Sequence, residues 1–84
     1  MATVKLFGAF GDVAGWTEQE IDASTLGELK AMLGANHPRL GNRLDHPSTM
    51  VILNNTIVPH SLRTDSSPIS DEDEIAFGPP VSGG

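Results

Sequence analysis

One helix laid across a mixed β-sheet, an α+β architecture, is the fold class this sequence predicts, and three observations predict it. Strand-like apolar runs and one helical run follow in the order strand, strand, helix, strand, strand, strand. The helical run carries its own start signal, Thr25 followed by Glu28, a capping-box spacing. The chain has 84 residues, enough for one core that buries a little over ~60% of the unfolded surface. With so few elements, the first and last strands are expected to pair at the centre of the sheet. Right-handed crossover connections are consistent with that arrangement.

In chain order, Thr3 to Phe7 alternates and is rich in strand formers, with Val4 and Leu6 on one face; the side taken by Phe7 is open. Residues 8–15 hold three glycines and read as a loop with Phe10 and Val13 packing inward. Their spacing matches neither the dinucleotide fingerprint nor the Walker phosphate loop. Trp16 to Ile21 is a second strand. Leu26, Leu29, Met32 and Leu33 then recur at helical spacing and give one apolar stripe, ended by Gly34, Asn36 and Pro38. Arg39 to Pro47 reads as a polar connection pinned by Leu40 and Leu44. Met50 to Leu53 and Thr56 to Val58 are strands joined by Asn54-Asn55, which suit the positive φ of a tight hairpin. Pro59 to Pro68 is loop-like, with Leu62 as a core contact. Ile69 returns to the body, Ser70 to Asp73 turn, and Glu74 to Phe77 form the last strand. Residues 1–78 are thus expected to form the domain and 79–84 a flexible C-terminal tail.

Composition narrows the function. Five Lys or Arg against eleven Asp or Glu give a formal charge of −6, which argues against nucleic acid or an anionic membrane as partner. The absence of cysteine excludes a thiol nucleophile, a disulfide and a thiolate metal site. Leu6 to Phe10 is too short for a signal-peptide core, and no stretch is long enough to span a bilayer, so the expected location is the cytoplasm. His37, His46 and His60 do not share a helical face and read as solvated loop residues, so no metal site is expected. Asp71 to Glu74 lacks the glycine and distant glutamate of a calcium loop. Ser61, His60 and Asp65 are close in sequence but lack a nucleophile-elbow motif. These residues supply no catalyst.

The remaining chemistry lies at the end of the chain. Pro79 and Pro80 fix φ and favour a stiff, extended exit, and Pro79 to Gly84 can reach at most ~20 Å. Gly83 and Gly84, without side chains, suit a narrow channel in another protein. A terminal carboxylate at Gly84 is an anion at neutral pH and a poor electrophile, so it must be activated, most simply as an acyl-adenylate made from ATP by a separate enzyme. Frayed chain ends are common. Pro-Pro-Val-Ser-Gly-Gly directly after an apolar strand favours a working tail.

The segment Ile69-Ser-Asp-Glu-Asp-Glu-Ile-Ala-Phe-Gly-Pro-Pro-Val-Ser-Gly-Gly84 resembles the end of the sulfur carrier subunit, the small subunit, of molybdopterin synthase, a ubiquitin-like β-grasp family. The resemblance extends over nearly the whole chain. It implies a non-catalytic, sulfur-donating subunit. Gly84 would be adenylated by an activating enzyme that uses ATP, converted to a thiocarboxylate with a sulfur donor system, and inserted into the large subunit of molybdopterin synthase, a heterotetramer. There the sulfur would pass to a cyclic pyranopterin monophosphate. The chain itself would bind no cofactor. By the same resemblance Gly83, Ser82, Val81, Pro80 and Pro79 are the inserted tail, with Gly84 as the reacting residue. Phe7 and Phe77 are candidates for an apolar docking patch or, equally, for the core. Gly78 stands where family members commonly carry a second bulky apolar residue, which implies a thinner docking surface or a more mobile tail. Sulfur delivery to thiamine or cysteine synthesis is an alternative. So is a ubiquitin-like modifier joined through Gly84 to lysines.

Overall fold

The computed structural model describes residues 1–44, 46, 48–59 and 64–79. Five strands form one mixed sheet in the order β2-β1-β5-β3-β4. Strand β1 (Ala2–Leu6) and strand β5 (Glu74–Gly78) run parallel at its centre, as the sequence predicts, with Val4 opposite Ile75 and Leu6 opposite Phe77. Strand β2 (Glu18–Ile21) lies antiparallel on the far side of β1. Strand β3 (Met50–Leu53) runs antiparallel to β5, and β4 (Thr56–Ile57) closes the other edge. Asn54 and Asn55 turn the β3–β4 hairpin with φ of 49° and 70°, the left-handed pair expected of a two-residue hairpin.

The main helix α2 (Leu26–Asn36) begins where the sequence places it, with the Thr25 hydroxyl accepting the Glu28 N–H at 3.1 Å. Leu26, Leu29 and Leu33 are buried, and Met32 packs half-buried against the same cluster. They meet the inward residues of the sheet, Val4, Leu6, Val51, Ile75 and Phe77, in a single core.

Two stretches read as connections are helical. Helix α1 (Ala9–Ala14) is bracketed by Gly8 and Gly15, both at positive φ, so glycines that suggest a loop act as its ends. Phe10 is buried and Val13 half-buried, as expected. Helix α3 (Pro38–Leu44) starts on a proline whose missing N–H costs nothing in a first turn, and Leu40 and Leu44, one turn apart, are both buried. α2 and α3 approach so closely at Gly34 and Gly41 that a Cβ on Gly41 would lie 3.1 Å from the Gly34 Cα.

Met50 to Leu53 is not buried throughout. Only Val51 is, because Met50 and Ile52 face away from the helices. The predicted core contact Leu62 lies outside the described residues. Among those described, no helix is long and apolar enough to cross a membrane.

Candidate functional site

The site is the point where β5 hands the chain to its last residues. Strand β5 is paired on both sides, parallel to β1 and antiparallel to β3, so its end is fixed by two ladders. A further bond from the Phe7 N–H to the Phe77 carbonyl, 2.9 Å, extends the β1 side past the last paired residue of β1. Pro79 follows, half-buried over Gly8, where an added Cβ would lie 3.2 Å from the Pro79 Cγ. Gly8 has φ 57° and ψ −136°, a conformation open in practice to glycine alone. The sequence marks Gly8 as loop punctuation. In the fold it is the seat of the first tail proline.

Among the described residues the helices pack on one face of the sheet, with Val4, Leu6, Ile75 and Phe77, and no helix packs on the other. On the open face Lys5 aligns with Glu18 on one side and with Ala76 on the other; Ala76 aligns with Ile52, and Ile52 with Ile57. The next row toward the tail holds Phe7, Gly78 and Met50, from the Gly78–Met50 register and the Gly78–Phe7 contact. Phe7 is 49% exposed and Ile57 59% exposed, so the half of this face around the tail exit is apolar.

The other half is ionic. The Lys5 ammonium lies 3.0 Å from Glu74 and 3.9 Å from Glu18. The Glu74 carboxylate, by hydrogen bond and by charge, and then Glu18 hold the Lys5 pKa above its ordinary value. Glu18 and Glu20 also place charges on the edge strand β2, which discourages edge-to-edge pairing.

The acidic turn before β5 is a fastening. Asp73 accepts the Ser70 N–H at 2.9 Å through one carboxylate oxygen and the Asn54 side-chain amide at 3.0 Å through the other. The Ser70 backbone bond and then the Asn54 amide hold its pKa below the usual carboxylate value. Asn54 in turn accepts the Glu74 N–H at 2.8 Å. The start of β5 is thereby tied to the β3–β4 hairpin.

The two phenylalanines separate. Phe7 stands on the open face beside Gly78, whereas Phe77 is 0% exposed and belongs to the core. Docking by Phe77 is corrected on this point, because strand alternation places it with Ile75 on the helix side. Pro80, Val81, Ser82, Gly83 and Gly84 lie outside the described residues. His37 is not a solvated loop residue as expected: it caps α2, and its Nε2 accepts the Trp16 indole N–H at 3.2 Å. His46 is exposed, and His60 and Ser61 lie outside the described residues. No group of three or more metal-ligating side chains occurs among the described residues.

A mixed five-stranded sheet with parallel first and last strands, a helix across one face and a chain that leaves from the central strand defines a ubiquitin-like β-grasp protein. The sequence pattern of the ThiS family matches residues 4–84, and the chain belongs to that family of small ubiquitin-like sulfur carriers, which are not catalytic by themselves. SAMP1 from Haloferax volcanii is similar in structure, at 28% identity over 99% of this chain and 98% of its own, with a TM-score of 0.77. Subunit 1 and 2 of the molybdopterin-converting factor from Helicobacter pylori were solved as a protein–protein complex; the matching chain is 26% identical over 99% of this chain and 97% of its own, with a TM-score of 0.66. The Amycolatopsis orientalis BexX/CysO complex contains a chain of the same fold, at 21% identity with full coverage of both chains and a TM-score of 0.82. No curated protein matches the sequence.

Proposed function

We propose that this protein carries sulfur for molybdopterin synthesis as the small subunit of molybdopterin synthase. The observation that carries the reading is the convergence, at Pro79, of a rigid exit from the central strand and an apolar half-face headed by Phe7. A protein that drew residues 80–84 into its own active site would cover that half-face. Likeness to the H. pylori subunit, solved with its companion subunit, supports the choice of partner.

In this reading the Gly84 carboxylate attacks the α-phosphate of ATP on an activating enzyme and pyrophosphate leaves. A sulfur donor then displaces AMP, and the thiocarboxylate gives its sulfur to a cyclic pyranopterin monophosphate within the large subunit. Water restores the carboxylate. This chain supplies reach and recognition; the partners supply the catalytic groups. The protein works in the cytoplasm, binds no cofactor of its own and forms a heterotetramer with the large subunit.

A second reading, a modifier joined through Gly84 to lysines, is favoured by the likeness to SAMP1, a name that stands for small archaeal modifier protein 1. Intact mass separates the two. Incubation with ATP, an activating enzyme and a sulfur donor should exchange one oxygen for sulfur at Gly84, and addition of large subunit and pterin precursor should reverse the exchange as molybdopterin forms. An exchange that the pterin system cannot discharge points to thiamine or cysteine synthesis. Lysine-linked conjugates without any exchange would establish the modifier.

A further inference from the structure

A cavity of about 500 Å³ opens beside the tail exit. Pro79 forms one wall; the others come from Phe10 of α1, from Asn42 and Arg43 at the end of α3, and from His46, Ser48 and Thr49 in the approach to β3. The β3–β5 ladder points into it. Met50 pairs with Gly78 in antiparallel register, so one further step sets Thr49 opposite Pro79, and a chain that kept the direction of β5 would next pass Ser48 and His46. Pro79 and Pro80 lack the N–H groups to carry that ladder on. The pairing ends there, and a groove lies where a strand would continue.

The rim of the groove is built of donors. Arg43 is exposed and makes no ion pair among the described residues, whereas Lys5 and Lys30 are held by Glu74 and Asp65 at 3.0 and 2.8 Å. His46 accepts the Ser48 N–H through Nδ1 at 3.0 Å, so the neutral imidazole keeps its proton on Nε2. Asn42 adds an amide and Ser48 a hydroxyl. None of the described lining residues is acidic, in a chain whose formal charge is −6. The loop that carries these groups is held in place. The His46 N–H donates to the Arg43 carbonyl at 3.2 Å, the Thr49 N–H to the His46 carbonyl at 3.0 Å, and the hydroxyl of buried Thr49 to the Arg43 carbonyl.

We propose that this groove is a carboxylate seat: the protein that takes up the tail places one Asp or Glu side chain in it, against Arg43 and the His46 Nε2–H. The inference rests on the reading that a partner draws in residues 80–84. Connectivity supplies the position, since Pro79 is a wall of the groove and a partner that holds the next residue lies over it. Electrostatics supplies the occupant. A partner that covered Arg43 beside Phe10 and Pro79 without an anion would strip water from a guanidinium and return nothing. A carboxylate instead gives it charge-assisted bonds in the fork geometry that arginine favours. Acidic groups of a partner are repelled by a chain of charge −6, so a cationic spot at the exit also fixes the pose in which such a group is accepted.

The test is calorimetric titration of the full chain and of Arg43→Gln, Arg43→Lys and Arg39→Gln against the molybdopterin synthase large subunit of the same organism, at low and at raised salt. Arg43→Gln should raise the dissociation constant by about 10-fold or more, because the partner's carboxylate is then covered and unpaired. Arg43→Lys should recover part of that loss, restoring the charge without the fork, and the gap between the unaltered chain and Arg43→Gln should narrow as salt rises. Arg39→Gln, one turn earlier on α3 and outside the groove, should stay within about 2-fold. Urea unfolding should not separate the variants, since both arginines are exposed and neither makes an ion pair among the described residues. Equal affinities for the unaltered chain and Arg43→Gln overturn the seat. So do equal losses at Arg39 and Arg43, which would mean a general field rather than a seated carboxylate. Self-association of the unaltered chain that Arg43→Gln abolishes would give the groove to a second copy and overturn it too. These outcomes leave the carrier reading intact. Failure of the unaltered chain to bind the large subunit overturns that reading and the seat with it.

Discussion

The two faces of β5 do different work with the same five residues. Toward the helices it presents Ile75 and Phe77, 1% and 0% exposed and among the largest fully buried side chains of the protein. Toward the open side it presents Glu74, Ala76 and Gly78: a charge tied to Lys5, then two small residues. One face holds the fold together and the other carries no large side chain of β5. A strand in the middle of a sheet can divide its roles this way because successive side chains alternate, so stability and recognition vary independently along one segment.

Phe77→Ala should break the comparison most visibly. A fully buried phenylalanine truncated to alanine costs about 3–5 kcal/mol, against a total of about 5–15 kcal/mol for a typical domain. Urea unfolding checks it, and a loss below about 1 kcal/mol would mean that the helix-side face is not what holds β5. Phe7→Ala is the matching change on the open face. Its cost in stability should stay below about 1 kcal/mol, while affinity for the proposed partner, the large subunit, falls by roughly 10-fold or more. Equal stability losses for the two phenylalanines would erase the division of labour.

Gly8→Ala tests the junction between the faces. Its backbone lies in a region that alanine adopts only under strain, and the added Cβ would press on Pro79 at 3.2 Å. A loss of about 1–3 kcal/mol is expected from the backbone alone. Because Pro79 must also shift, binding of the large subunit should weaken alongside it. Lost stability with unchanged affinity would show that the seat under Pro79 does not aim the tail.

Much of this arrangement is legible in the sequence. The capped helix, the Asn-Asn hairpin and the order of elements rest on local signals of spacing and residue type. The side taken by Phe7 and Phe77 is left open there, although the information is present: Val4 and Leu6 point inward, so by alternation Phe7 points out, and Ile75 carries Phe77 inward with it. Helices α1 and α3, of 6 and 7 residues, are shorter than the window in which helical periodicity can be recognised, and their boundary residues, Gly8, Gly15 and Pro38, resemble loop signals. The Trp16–His37 bond and the contact between Gly8 and Pro79 join residues far apart in the chain and exist only once the sheet has formed.

The smallest expected effect concerns how β5 begins. Asp73 is ionised in the fold below its ordinary pKa because the Ser70 N–H and the Asn54 amide both donate to the carboxylate. A carboxyl group whose folded pKa is depressed stabilises the fold fully above its unfolded value, near 3.9, and loses that contribution as pH falls through the lower folded value. The group is largely solvated, so water screens the gain and Asp73→Asn should cost only on the order of 0.5 kcal/mol at pH 7. The difference between the two proteins should shrink as the solution is acidified below about pH 4. Neither face of β5 is touched by this change, so affinity for the large subunit should be preserved. A pH-independent difference would assign the effect of Asp73 to shape rather than charge, and a loss of binding would mean that the turn before β5 also sets the pose of the open face.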